Sequence, residues 1–136
     1  MFRLIIITSY LFVCISCMQE GSRVNMQQVA HGQEIYSRSC ANCHGEDGKG
    51  LAKLIPPLLD ADYLIAHQSE LPCIIKNGIA GKITVNKYPY ALKMPGNNKL
   101  SDVEIAAVCN FVLFRYGKVN YSISVNDVSN QLKQCK

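Results

Sequence analysis

The run Cys40-Ala41-Asn42-Cys43-His44 constrains this chain more than any other stretch. C-x-x-C-H is the attachment site of a c-type haem. The two thiols form thioethers to the porphyrin vinyl groups, and the following imidazole becomes an axial ligand of the iron. The spacing follows from that chemistry. Two intervening residues let both sulfurs reach one edge of the macrocycle, and a His directly after the second Cys can swing under the metal. A small chain with such a group at its centre must build its core around a porphyrin.

Other uses of the five residues fit less well. A thioredoxin-like dithiol needs a preceding apolar strand and a βαβ context, whereas Gly32–Ser39 reads as a polar helix. A zinc site needs a second ligand pair at zinc spacing, and outside the apolar leader, which ends in Cys14-Ile15-Ser16-Cys17, the chain has no other C-x-x-C and no H-x-x-x-H.

The N-terminus points to export. Met1-Phe2-Arg3 is a short basic start, and Leu4–Ile15 is apolar but short for a bilayer span. The run ends in Cys14-Ile15-Ser16-Cys17, similar to a bacterial lipoprotein processing site in which Cys17 is lipidated and becomes the first residue. Cys14 stands where such sites prefer Leu. Cys14 as the start, plain cleavage, and a retained short anchor are the alternatives. Haem attachment of this type occurs outside the cytoplasm, where disulfides also persist.

With residues 1–16 removed, 120 residues remain, enough for one core and no second one. Their charge is +3, which two haem carboxylates nearly cancel. No basic run interleaved with aromatics suggests nucleic acid. Lys76, Lys82, Lys87, Lys93 and Lys99 are scattered through the segment expected near the haem edge, as a docking ring or as ordinary solvated surface.

The organisation reads as helices joined by long loops. Met18–Val29 is polar and aperiodic, and residues 17–29 read as a lipid-anchored flexible tether. A first helix is expected over Ala30–Cys40, then a glycine-rich loop at Gly45–Gly50 and an extended Ile55-Pro56-Pro57-Leu58. Short helices are expected over Asp62–His67 and Ser69–Asn77, with Gly78 as a stop. Gly81–Met94 reads as irregular, with Ile83-Thr84-Val85 able to form a short strand. Ser101-Asp102-Val103-Glu104 is a capping box, followed by apolar Ile105, Val108, Cys109, Val112 and Tyr116 at helical spacing up to Gly117.

Over Ala30–Gly117 the chain resembles the class I cytochrome c family. Gly32 and Tyr36, eight and four residues before Cys40, match the family's N-terminal helix, and Val108 and Phe111 match its C-terminal partner. Pro56 matches the family proline, although Ile55 replaces the Gly that usually precedes it. Met94-Pro95-Gly96 before Leu100-Ser101 is similar to the sixth-ligand Met and the lead-in to the last helix. The resemblance implies an all-α fold, with N- and C-terminal helices crossing and short helices and loops wrapped round one covalent haem c. It also implies His44 and Met94 as axial ligands and a hydrogen bond from His44 Nδ1–H to the Pro56 carbonyl.

A thioether opposite an imidazole favours Fe(II) and raises the potential. Filling both axial positions leaves no substrate position, so the chain reads as a carrier and not an enzyme, with redox proteins as partners and no small-molecule substrate. His67 is the competing sixth ligand. Tyr88 and Tyr90 are candidates either to hydrogen-bond a haem carboxylate or to wall the haem edge. His31 reads as solvated.

Cys73, Cys109 and Cys135 remain. Cys109 lies on the apolar face of the last helix, as a small hydrophobe suited to the haem pocket. In the tail, residues 118–136, Val125, Val128 and Leu132 are spaced like one helix face, with Ser124 or Asn126 as N-cap. A Cys73–Cys135 disulfide would tie this tail to the domain, closing a loop of 61 residues and stabilising by about 4 kcal/mol on loop-closure entropy. Cys73–Cys109 is the other pairing. The expected function is a one-electron carrier tethered to the membrane on the periplasmic side of a bacterial envelope. The alternative is a fixed cytochrome c subunit of a larger redox complex.

Overall fold

The computed structural model describes residues 24–120 and 122–135, so the apolar leader and Cys17 lie outside the described residues. In chain order the elements are α1 (Met26–Ser39), α2 (Ala41–His44), α3 (Asp62–Ala66), α4 (Leu71–Asn77), β1 (Gly78–Ile79), β2 (Ile83–Val85), β3 (Tyr88–Tyr90), β4 (Met94–Pro95), α5 (Asp102–Arg115) and α6 (Val125–Leu132). Among the described residues no helix is long and apolar enough to cross a membrane.

Helix α1 begins four residues before the expected Ala30, so residues 26–29 are helix and not tether. The cap decides this: the Asn25 side chain accepts from the amides of Gln27 and Gln28, at 3.1 and 3.3 Å. Val29, Gly32, Ile35 and Tyr36 then form one buried stripe. That stripe packs on α5, where Ile105–Leu113 are all buried. Gly32 is required at the crossing, because a Cβ there would overlap the Ala107 carbonyl and the Phe111 Cβ. Helix α5 starts at the expected capping box, with Ser101 N donating to Glu104 Oε2 at 2.9 Å and Glu104 N to Ser101 Oγ at 3.4 Å.

The fold is mainly helical but not purely so. The short strand expected at Ile83-Thr84-Val85 forms as β2, and the segment Gly81–Met94 around it, expected to be irregular, takes part in two antiparallel ladders. β2 pairs with β3, and β1 pairs with β4 in the register Gly78↔Pro95 and Ile79↔Met94. The β2–β3 hairpin turns through Asn86 and Lys87, both left-handed with φ of 49° and 66°. A two-residue loop with both φ positive is the turn that matches strand twist. Lys87 stands where such turns usually carry Gly, and Pro89 sits in β3, so neither residue announces a hairpin.

The tail folds back on the domain. Ser124, not Asn126, caps α6, accepting from Asp127 N at 3.1 Å. Val128 is fully buried, Ser129 Oγ donates to Asp102, and Cys73 and Cys135 are disulfide-bonded with Cα atoms 5.6 Å apart. Cys109 is completely buried and free, so the Cys73–Cys109 pairing is not the one formed.

Candidate functional site

Cys40 closes α1, its backbone N–H bonded to the Tyr36 carbonyl at 2.8 Å. One further helical turn, α2, then brings Cys43 and His44 round to the same side. Three rings brace that turn. Tyr36, Phe111 and Tyr116 pack with centroids 5.2 to 5.7 Å apart. Two of their hydroxyls hold the loop after the motif: Tyr36 donates to the Gly45 carbonyl at 2.7 Å, and Tyr116 to the Glu46 carbonyl at 2.8 Å. Burial pushes the Tyr36 hydroxyl well above the ordinary phenol range, so it stays a neutral donor. The Tyr116 hydroxyl was not legible in the sequence, where that residue reads only as an apolar helix position.

His44 is buried, with Nδ1 3.3 Å from the Pro56 carbonyl oxygen. Burial lowers its pKa and the hydrogen bond to Pro56 opposes that, so the ring is the neutral imidazole that a metal requires. With Nδ1 committed to Pro56, Nε2 is left for a ligand. Pro56 is placed by the chain around Gly48, whose carbonyl accepts from Leu58 N and Leu59 N at 2.7 and 3.0 Å. The Cys40 thiol is pushed up to about 11, by burial first and by neighbouring Cys43 second. Both sulfurs are free.

Cys40, Cys43, His44, Pro56 and Met94 line one open cavity of about 1150 Å³, its mouth included. The rest of the wall is mostly aliphatic, with Leu64, Ile75, Val85, Val108 and Val112 among its residues. Met94 reaches it from β4, which the ladder to β1 holds in place. Gly78, at φ 81°, lets the end of α4 pass against the Met94 carbonyl, where a Cβ would collide. The site fits a haem on the chemistry of its donors: two thiols, an oriented imidazole and a thioether on one largely apolar wall.

The other expected residues divide. Tyr90 is buried and lines the cavity, whereas Tyr88 is 38% exposed and is not on the wall. Instead Lys53 Nζ lies 5.1 Å from the Tyr88 ring centroid. Of the two, it is therefore Tyr90, two residues further into the strand, and not Tyr88 that stands on the cavity wall. His67 also lines the cavity. His31 is at the surface, 3.9 Å from Glu34. Cys109 lies behind the wall, which its neighbours Val108 and Val112 form, so it is core and not pocket. Lys76 is not a free surface charge, because its Nζ donates to the Leu100 carbonyl at 2.8 Å and the Asn98 carbonyl at 3.3 Å. Lys93 is exposed at the cavity edge.

Comparison with known proteins follows the same residues. The family model described as Cytochrome c matches residues 29–114. The chain is 36% identical over 102 residues to the cytochrome c subunit of the alcohol dehydrogenase (quinone) of Gluconobacter oxydans (strain 621H), covering 71% of this chain and 21% of that one. It is 34% identical over 92 residues to cytochrome c-552 of Thermus thermophilus, covering 65% and 70%. With the Cbb3-type cytochrome c oxidase subunit CcoP of Rhodobacter capsulatus it shares 34% over 94 residues, covering 68% and 31%. The match thus spans about a fifth of the dehydrogenase subunit's length and under a third of the oxidase subunit's.

Proposed function

The chain belongs to the cytochrome c family, and on that premise we propose that it is a membrane-tethered one-electron carrier with a single haem c ligated by His44 and Met94. Cys40 and Cys43 would hold the porphyrin through thioethers, and Pro56 would fix the His44 ring. A haem bound there supplies one-electron Fe(III)/Fe(II) chemistry. Met94 would supply a soft thioether as the second protein ligand, which would favour the reduced state and leave no coordination position for a substrate. With the haem bound, the aliphatic wall would surround the charge change with low-dielectric groups. The observation that carries this reading is the meeting of both thiols, His44 and Met94 in one cavity, with His44 already oriented by Pro56 at 3.3 Å.

Cys17 would carry the lipid, placing the protein on the outer side of a bacterial membrane, and the segment between Cys17 and the Asn25 cap would serve as tether. Redox partners would dock at the cavity mouth, where Leu54 and Leu92 are 59% and 61% exposed and Lys93 stands beside them. The test is mass spectrometry of the mature protein with reduced-minus-oxidised spectra. It should give one covalent haem, Met–His ligation and a lipid at Cys17.

A second reading is a fixed subunit of a larger redox complex. It is favoured by the likeness to two proteins named as subunits, of a quinone-linked alcohol dehydrogenase and of an oxidase. Detergent-solubilised protein should run alone if it is a carrier and with a complex if it is a subunit.

A further inference from the structure

Met94 lies in a stretch with little core of its own. Tyr90 and Leu100 are buried, but none of residues 91–99 between them is. Core packing therefore does little to keep the thioether at the cavity, and the stretch depends on what it is fastened to. Its base is the end of α4, which the buried Leu71, Pro72 and Ile75 seat in the core. β4 pairs with β1, directly after α4. Asn97 N donates to the Ile75 carbonyl at 2.8 Å. Gly96 runs so close to the helix end that a Cβ there would strike the Lys76 carbonyl and the Asn77 backbone.

One side chain fastens the far end of the stretch. Lys76 is half-buried and is not on the cavity wall. Its Nζ donates to the Leu100 carbonyl at 2.8 Å and the Asn98 carbonyl at 3.3 Å. These oxygens lie where the stretch enters α5, whose N-cap is Ser101. An ammonium carries three donors, so one group holds two carbonyls, and a cation in the last turn of α4 suits that helix's dipole. The loop is thus pinned at Met94 by the ladder and at Leu100 by Lys76. A loop pinned at both ends has fewer conformations in which Met94 can swing out of the cavity.

Resting on the haem reading above, we propose that Lys76 is a positioning residue for Met94. From outside the cavity it holds the stretch that keeps the thioether on the iron, and so sets how readily another ligand displaces Met94.

The experiment titrates the ferric holo-protein with imidazole, at a pH where the probe is neutral and so indifferent to the loss of a lysine charge. Its binding is read from the haem absorption, including the weak red charge-transfer band of Met-ligated ferric haem. The parent, Lys76→Met, Met94→Ala and the double variant are compared. Lys76→Met keeps the bulk of the stem and removes the donors. Imidazole should bind Lys76→Met on the order of tenfold more tightly than the parent, about what one hydrogen bond from a charged group is worth at a half-buried site. Adding Lys76→Met to Met94→Ala should leave the affinity unchanged, because the residue acts only through Met94. An affinity unmoved by Lys76→Met in the parent overturns the proposal. An equal shift in both backgrounds also overturns it, by making Lys76 a general brace of the fold. If Lys76→Met fails to fold, Lys76→Gln replaces it and should shift the affinity less, in the same direction. If Met94→Ala fails to mature, amide exchange decides: it should quicken over residues 94–100 in the Lys76 variant and keep the parent rates in α1 and α5. Failure of the underlying haem reading looks different: the parent would carry no covalent haem, or would bind imidazole as tightly as Met94→Ala.

Discussion

Asn110 grips Ile123 by both ends of its backbone unit. Its side-chain amide donates to the Ile123 carbonyl at 3.0 Å, and its Oδ1 accepts from Ile123 N at 2.7 Å. The same amide donates to Gln28 Oε1 at 2.7 Å, so one buried side chain joins α1, α5 and the tail. Asn110→Leu should strand the Ile123 groups in the core and cost about 1–3 kcal/mol, the range for unsatisfied buried partners. Denaturant unfolding of the holo-protein checks the cost. Faster amide exchange over residues 123–132, with the haem spectrum unchanged, checks the mechanism.

The disulfide should act on the same tail through the unfolded chain. Cys73 and Cys135 are 62 positions apart, which gives about 4 kcal/mol on loop-closure entropy. The Cys73→Ser, Cys135→Ser double variant should lose up to that amount in chemical denaturation while keeping its visible spectrum. A changed spectrum would mean that the tail reaches the haem and is not only a brace.

Met94 should be separable from His67 by ligand access. Met94→Ala should abolish the red charge-transfer band and admit carbon monoxide to the reduced iron. His67→Ala should do neither. If His67→Ala alone opens the iron, the axial assignment is wrong.

Docking should depend on charge. Lys49, Lys53, Lys93 and Lys99 flank the two segments that frame the cavity, although Lys49 is paired with Asp47 at 2.8 Å. Transfer to a partner should slow as ionic strength rises, because screening weakens steering. It should slow further when Lys93 and Lys99 become Glu. A rate indifferent to both would favour the fixed-subunit reading.

Much of the fold was legible in the sequence because its signals are local. The Cys40–His44 spacing, the Ser101–Glu104 box and the apolar period through Tyr116 each report on a few neighbouring residues. What escaped depends on contacts far apart in the chain. Residues 26–29 lack an apolar period yet are helical, because Asn25 caps them and Ser122 Oγ accepts the Asn25 amide at 2.8 Å. The hairpin escaped because Lys87, without a glycine, adopts the left-handed turn. Tyr88 and Tyr90 could not be told apart until the register with Val85 and Ile83 was known. Asn110, inside an apolar helix, gave one clue: a polar residue on a buried face needs a partner, though nothing local says which.

The most direct test of the account is the mass and spectrum of the exported protein with and without the two attachment thiols. The intact chain should carry one haem that survives acid and denaturant. Cys43→Ser should lose it or hold it by a single thioether with a shifted absorption band, and the double variant at Cys40 and Cys43 should hold none covalently. An unchanged, acid-stable haem in that double variant, or no haem in the intact chain, would contradict the account.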